Sequence, residues 1–461
     1  EFASCLVGSE MCIRDRNKYM RQPTTYHKDL FSTFLNQIWR IFSGPLILLS
    51  IPFFLTPEVQ GFWYTFISLA ALSVLADLGF SNIILQFSAH EFAFLRFKAN
   101  MTLEGDTYHL CKLSDFFRFS TRWLVKVIFL IFPLIIVGGY FFISYRASYA
   151  ATVSGWIPAW IIYAFASAFV FMNSILLSFF EGLNLVGKVQ QLRFQIAVAT
   201  TITMLLGLIL HLELFALALS NIVGSLVGLT LIFKNFKNLI WQLFNIEPHK
   251  IYNWWPEFYP LICRYAISWG SGFLVFQLFT PMTFYFHGPV AAGKIGISIA
   301  MWTAGFNIAI SWITAITPKM NMLIAEKKWN YLDNIFKNGL IKSIGTMIIG
   351  GSLFFALEYC LYSDLLFFHR ILEPKGMGIL FIAWLLQVIT NAMAIYLRAH
   401  KKEPLVHVSC LNAVIVIIGT LICGKFLDEA YLFGGFFVGS LIQCPLVYLI
   451  FCSFRKQHRG G

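Results

Sequence analysis

The sequence predicts an all-α membrane protein with about twelve transmembrane helices, arranged as two six-helix halves. Of its 461 residues, 58% are hydrophobic and only 12% are charged, with a mean hydropathy of +0.72. A soluble domain is nearer a quarter charged, and no water-soluble fold of this size buries so much apolar surface. The apolar residues are grouped in segments of about 20, the length a helix needs to cross a bilayer.

Twelve such segments follow one another along the chain. They lie at approximately 31–55, 59–87, 120–144, 155–180, 191–211, 213–233, 258–284, 289–317, 338–358, 377–398, 404–424 and 430–453. The two longest, 59–87 and 289–317, are expected to run as continuous helices beyond the membrane into the cytoplasm.

The basic residues predict the orientation of these spans. Lys and Arg are concentrated at both termini and in the connections that follow even-numbered spans, whereas the opposite connections carry few of them. Cytoplasmic connections carry the excess of positive charge in membrane proteins, so both termini are predicted to be cytoplasmic. The same rule predicts that Ser88–Ser120 forms an amphipathic cytoplasmic hairpin. The net charge of +12 therefore indicates topology and not a nucleic-acid partner.

The chain divides into a leader and two repeated lobes. Residues 1–16 lack periodicity and are interpreted as a non-native leader, residues 17–245 as the N-terminal lobe, and residues 246–461 as the C-terminal lobe with a cytoplasmic tail. Pro57 and Gly61 recur as Pro289 and Gly293, each pair opening a long helix. Six spans per half give the two lobes the same orientation, so we predict parallel repeats.

Three charged residues inside apolar spans are the leading functional candidates. Arg40, Asp77 and Arg264 lie in the first, second and seventh spans. A charge in hydrocarbon costs at least a few kcal/mol, and such residues therefore usually face a cavity or a partner. Arg40 and Asp77 are each about 15 Å deep, so they either form a structural ion pair or line an aqueous cavity. Arg264, nearer the cytoplasm, either lines the same cavity or extends to the interface.

Five uncharged polar residues in the spans are weaker functional candidates than these charges. Most such residues join helices to one another, but they are also candidates to line a cavity. They are Ser73, Ser268, Asn307, Gln387 and Asn391. The dispersed His and Cys residues predict no metal site, no cofactor and no catalytic constellation, and there is no Walker A motif.

Four short motifs stand out along the chain, at the stretches 60–64 (QGFWY), 75–80 (LADLGF), 180–184 (FEGLN) and 316–320 (ITPKM). Together they resemble motifs of the Wzx-type O-antigen and polysaccharide flippases, within the multidrug/oligosaccharidyl-lipid/polysaccharide exporter superfamily. The resemblance covers roughly residues 25–455.

The resemblance implies a two-lobed bundle around a cationic central cavity in the bacterial cytoplasmic (inner) membrane. It implies a flippase for an undecaprenyl-pyrophosphate-linked oligosaccharide, working beside a polysaccharide polymerase and other assembly proteins. Arg40 and Arg264 would then clamp the phosphates, because arginine binds phosphate oxygens in a bidentate fork. Asp77 becomes a candidate for ion coupling or gating. The protein is expected not to be an enzyme.

Two other functional classes remain open at this stage. An ion-coupled drug exporter of the same superfamily would prefer acidic residues in its cavity, whereas arginine predominates here. A membrane-embedded glycosyltransferase or polysaccharide polymerase would need a large catalytic outer loop, and the stretch Glu358–Gly376 is short.

Overall fold

The chain folds into long helices that cross a membrane many times. The structure, a computed structural model, describes residues 23–77, 79–145, 153–246, 252–256, 258–259, 262, 270, 272, 275–361, 365–400 and 404–459. Ten helices in these ranges are long and apolar enough to span a bilayer. Of the other two predicted spans, the second is divided into shorter helices, and much of the seventh lies outside the described residues.

In the part of the first half that the structure describes, there are eight helices and a small hairpin. They are α1 (Pro23–Phe54), α2 (Pro57–Ala70), α3 (Ser73–Asp77), α4 (Phe80–Phe92), β1 (Leu95–Phe97), β2 (Leu103–Gly105), α5 (Thr107–Ser144), α6 (Trp156–Gly182), α7 (Val186–Ile209) and α8 (Leu214–Asn245).

The second half repeats the long helices. They are α9 (Phe279–His287), α10 (Pro289–Ala325), α11 (Trp329–Leu361), α12 (Leu366–His369), α13 (Pro374–Ala399), α14 (Val406–Phe426), a 3-10 turn (Glu429–Tyr431) and α15 (Gly434–Arg459).

The second predicted span is not one continuous helix, so the prediction for 59–87 was wrong in this respect. It is divided into α2, α3 and α4. Gly79 has a φ of 78°, a left-handed conformation that a glycine adopts without steric cost. The carboxylate of Asp77 then accepts hydrogen bonds from the backbone N–H and the hydroxyl of Ser81, at 2.9 and 2.7 Å. Asp77 therefore caps the first turn of α4, whose N–H groups have no partner within the helix.

The polar stretch after α4 contains a β-hairpin that is shorter than the predicted Ser88–Ser120, because residues 88–92 belong to α4 and residues 107–120 to α5. Strands β1 and β2 pair antiparallel, with Arg96 opposite Glu104. Asp106 then caps α5 by accepting a hydrogen bond from the N–H of Tyr108 at 3.0 Å. We call this end of the molecule the hairpin end, and the opposite end, where α2 and α10 begin, the seal end.

The helices pack in two groups that show the same pattern of neighbours. In the first group α1 packs on α7, α7 on α8, and α6 on α8, α4 and α5. In the second group α9 packs on α14, α14 on α15, and α13 on α15, α10 and α11. Contacts between the groups join α1 and α2 to α9, α10 and the short α12.

Candidate functional site

The two repeated Pro-x-x-x-Gly segments meet at the seal end. A methyl group on Gly61 would lie 1.9 Å from the carbonyl oxygen of Pro289, and one on Gly293 would lie 3.0 Å from the backbone nitrogen of Gly61. Gly296 is pressed against Tyr64 in the same way, with 2.3 Å available. Only glycine permits backbones to approach so closely, so these positions let α2 and α10 cross in direct contact.

Hydrogen bonds between the halves reinforce this crossing. The buried side-chain amide of Gln60 donates to the carbonyl oxygens of Gly293 and Arg370, at 2.9 and 3.2 Å. The Arg370 guanidinium donates to the carbonyl oxygen of Leu55 at 3.0 Å. Phe62 meets Phe284 edge to face, with centroids 5.2 Å apart. The two halves are thus joined tightly at the seal end.

One face of α1 leads from this seal toward the hairpin end. Leu55 and Ile51 are buried at the seal end, with exposed fractions of 3% and 2%. Gly44, Arg40 and Gln37 continue the same face at helical spacing, and all three are exposed. The face that is packed at the seal end is therefore open farther along the helix.

The corresponding face of α10 behaves in the same way. It begins with Gly293 and Gly296, which pack on α2. At helical spacing it continues through Asn307, Ser311 and Thr314, which are exposed. The hydroxyls of Ser311 and Thr314 donate to the carbonyl oxygens of Ile308 and Ser311, within their own helix, at 2.6 and 3.0 Å.

Because α1 packs on α10, these two exposed polar faces are the candidate lining of a cleft between the halves. We call it the α1–α10 cleft; its lining positions are Gln37, Arg40, Gly44, Asn307, Ser311 and Thr314. An exposed arginine and amides in the middle of membrane-spanning helices require water or a polar ligand and not lipid. Ile51 and Leu55 are packed at the seal end, whereas the candidate lining residues, nearer the hairpin end, are exposed.

Neighbouring residues of α1 fix the helix around Arg40 to α7. Asn36 donates to the side chain of Gln190 on α7 at 2.8 Å, and Trp39 packs edge to face on Phe194 at 6.0 Å. Across the described residues, no carboxylate forms an ion pair with Arg40 within 4 Å, Asp77 included. Its guanidinium is therefore available to an anion.

Asp77 lies apart from α1, on the short helix α3. This helix packs on α5 and α6, and Asp77 is half-buried there with Ser81 as its hydrogen-bond partner. Ser73, one turn earlier, is also half-buried. Of the two alternatives that the sequence left open, the ion pair between Asp77 and Arg40 is not formed in this structure.

The other sequence candidates have different surroundings. Gln387 is buried and donates to Ser440 and Gln443 on α15, at 3.1 and 3.0 Å, so its amide joins two helices. Asn391, one turn later, is half-buried. Arg264 and Ser268 lie outside the described residues.

Sequence reasoning did not identify Gln37, Gln60 and Arg370. Gln37 shares a face with Arg40 at a spacing of three residues, which was a usable signal. Gln60 and Arg370 are far apart in sequence, and only the crossing of the two halves shows their common role.

Similar folds occur among solved transporters. The chain resembles the inward-facing conformation of a multidrug resistance MATE family transporter of the MOP superfamily, with a TM-score of 0.63, 13% identity, and coverage of 94% of this chain and 98% of that one. It also resembles the lipid II flippase MurJ in an inward closed conformation, with a TM-score of 0.65, 13% identity, and coverage of 91% and 86%.

A third similar structure is a MOP superfamily transporter from Pyrococcus furiosus, described by the reversed polarity of its binding pocket. Its TM-score is 0.55 at 10% identity, covering 94% of this chain and 95% of that one. Neither a protein-family model nor a curated protein matches the chain. At such identities the likeness establishes the fold, and it confirms the predicted all-α membrane architecture of about twelve spanning helices.

Proposed function

We propose that this protein is a flippase that moves a polyprenyl-pyrophosphate-linked oligosaccharide across the bacterial cytoplasmic membrane by alternating access, for surface polysaccharide synthesis. One observation carries the proposal. Arg40 is exposed on the cleft face of a membrane-spanning helix, and none of the described carboxylates pairs with it. An unneutralised cation at such a position calls for an anionic ligand.

The chemistry of a pyrophosphate suits this cation. The group carries two or more negative charges, and the planar guanidinium donates two parallel hydrogen bonds to phosphate oxygens. Gln37 adds amide donors on the same face of α1. Arg264 is proposed to supply a second contact from the C-terminal half.

The opposite wall of the cleft suits the sugar. Asn307, Ser311 and Thr314 are uncharged and exposed. The two hydroxyls donate to their own backbone, which leaves oxygen lone pairs to accept hydrogen bonds from sugar hydroxyls. A ligand with one anionic part and one polyhydroxylated part therefore matches both walls.

Alternating access requires that the cleft open to only one side of the membrane at a time, and the seal would close the other side. The cleft is closed where Gly61 meets Pro289, and we assign this end to the periplasmic side because the opposite end carries the Lys and Arg residues of the hairpin. The lipid tail stays in the bilayer while the head group enters the cleft. Asp77, at the break in the second span, remains the proposed coupling or gating residue.

Binding by the purified protein tests the proposal. The probes are undecaprenyl diphosphate, undecaprenyl monophosphate and a cationic dye, measured by native mass spectrometry in the same detergent. We expect the diphosphate to bind best and Arg40→Ala to weaken it by about 10- to 100-fold, since a hydrogen bond to a charged group contributes about 1.5–3 kcal/mol. Arg40→Lys should recover only part of the loss, because lysine lacks the fork.

Arg96→Ala on the hairpin is the matched control, because Arg96 is exposed and paired with Glu104 at 2.8 Å. It should leave binding unchanged. A wild-type protein that binds the dye but neither phosphate lipid would favour a drug exporter and contradict the flippase.

A further inference from the structure

We infer that the segment joining the two halves is packed firmly against the N-terminal half as far as Phe258. The hinge about which the halves move relative to each other then lies C-terminal to that residue. We call the described residues 252–256 and 258 the strap. The sequence assigned the whole of this segment to the C-terminal lobe. The inference rests on the proposed alternating movement of the halves.

Trp254 anchors the strap to α5. Its exposed fraction is 2%, and its indole N–H donates to the carboxylate of Asp115 at 2.9 Å. The ring also packs on Phe116 and Phe87, with centroids 4.8 and 6.0 Å away. An indole buried with its N–H satisfied is a strong attachment point.

Lys112 links the strap to a buried carboxylate. Its ammonium lies 2.7 Å from Glu91, whose side chain is 3% exposed, and His109 lies 2.8 Å from the same carboxylate. The same ammonium sits over the rings of Tyr252 and Trp254, 5.1 and 5.6 Å from their centroids. One cation therefore holds α4, α5 and the strap together.

Phe258 completes the attachment. It is fully buried, and its ring meets Phe80 and Phe119 at 5.3 Å and Phe87 at 6.2 Å. All three partners belong to α4 and α5. Aromatic pairs of this kind add stability beyond their buried area.

The chain before the strap is fixed to the same body. The Ser114 hydroxyl donates to the carbonyl oxygen of Leu243 at 2.6 Å, and the Arg118 guanidinium donates to that of Ile246. Gln242 exchanges two hydrogen bonds with the backbone of Leu103 in the hairpin, at 2.7 and 2.8 Å. The end of α8, the hairpin and the strap thus form one connected block at the hairpin end.

A block of this kind moves as a unit. When the halves rotate, the strap should keep its distance to the hairpin, and the start of α11 should change its distance. Lys112 acts as a positioning residue, because it holds the strap without contacting the cleft.

Electron-spin distance measurements test this directly. Spin labels are placed on cysteines at exposed Ala99 in the hairpin, Asn253 in the strap and Asn330 in α11, in an otherwise cysteine-free full-length chain in nanodiscs. Gly61→Val wedges the seal open, because its side chain would collide with Pro289. Gly138→Val is the matched control, since a methyl group at Gly138 meets nothing within 4 Å.

We expect the 99–330 distance to shift in Gly61→Val, but not in Gly138→Val, while the 99–253 distance stays unchanged. A 99–253 distance that shifts together with 99–330 overturns the inference and leaves the movement intact. A 99–330 distance that stays constant in Gly61→Val would show that the halves do not move relative to each other, which overturns both the strap inference and the proposed alternating access. If Gly61→Val does not fold, the double variant Gln60→Ala with Arg370→Ala opens the seal without adding volume.

Lys112→Met adds a second readout. It keeps the length of the side chain and removes its charge, so the 99–253 distribution should broaden even with the seal closed. An unchanged distribution would overturn the role of Lys112.

Discussion

At the scale of single residues, two charges show what the sequence can and cannot predict. Arg40 was identifiable because a guanidinium interrupts an otherwise apolar span, and a charge in hydrocarbon is so costly that it usually faces a cavity or a partner. The Glu91–Lys112 pair was not identifiable, because the hairpin between them brings together residues with no helical spacing. For Gln387 the sequence left two roles open, and the structure shows its buried amide joining α13 to α15.

The Glu91–Lys112 pair predicts a pH-dependent stability. Burial by itself raises the pKa of Glu91, but hydrogen bonds from Lys112 and His109 outweigh it and leave that pKa below its ordinary value. Burial by itself lowers the pKa of Lys112, but Glu91 leaves it raised. A carboxylate with a lowered folded pKa stabilises above its unfolded pKa, about 4.3, and loses this contribution as pH falls through the folded value.

Glu91→Gln should therefore melt at a lower temperature than wild type at pH 7, by the equivalent of about 1.5–3 kcal/mol. The difference should shrink as pH falls below about 4. Thermal melting in detergent across this range checks the prediction. A difference that grows toward acid would show that the sign of the Glu91 contribution is wrong.

At the scale of elements, the crossing of α2 and α10 was foreshadowed by the repeated Pro-x-x-x-Gly segments. A proline at the first helical turn followed by a glycine is readable from the chain. That the two segments touch is a tertiary fact, which depends on how the halves face each other. The break at Gly79 was missed because hydrophobicity continues across it and only the left-handed backbone interrupts the helix.

The seal predicts a change in accessibility on Gly61→Val. A valine side chain at Gly61 cannot coexist with the Pro289 carbonyl oxygen, so the seal should open and a cysteine at Val59, whose side chain makes none of the seal's hydrogen bonds, should react with a membrane-impermeant maleimide from the periplasm. The same cysteine in the otherwise wild-type chain should be protected, because Val59 is 3% exposed. Equal protection in both proteins at equal abundance would mean that this contact does not close the cleft.

The break in the second span predicts that Asp77→Asn spares folding. Asparagine keeps an acceptor oxygen for the N–H and hydroxyl of Ser81, and no ion pair with Arg40 is lost. Asp77→Ala removes the cap and should cost about 1 kcal/mol. Thermal melting compares the two variants, and a larger loss for Asp77→Asn would show that the charge itself holds the fold.

At the scale of the whole molecule, composition and basic-residue asymmetry were sufficient to predict a polytopic helical protein. They could not show which helix faces meet, since every face of a spanning helix is apolar enough to touch lipid or protein. The cleft emerges only when Gly293 and Asn307 are seen to share one face and Ile51 and Arg40 another. The function then depends on which ligand matches a cationic wall on α1 and an uncharged polar wall on α10.

Transbilayer movement of a labelled lipid tests that conclusion most directly. Proteoliposomes are loaded with a fluorescent undecaprenyl-diphosphate-linked sugar, and its exposure to an external quencher is followed over time. Wild-type and Arg96→Ala proteins should move the lipid at equal rates, and Arg40→Ala should be slower by about 10- to 100-fold, as expected for a lost charged hydrogen bond. An Arg40→Ala protein as fast as wild type, or a wild-type protein that moves no lipid, would contradict the account.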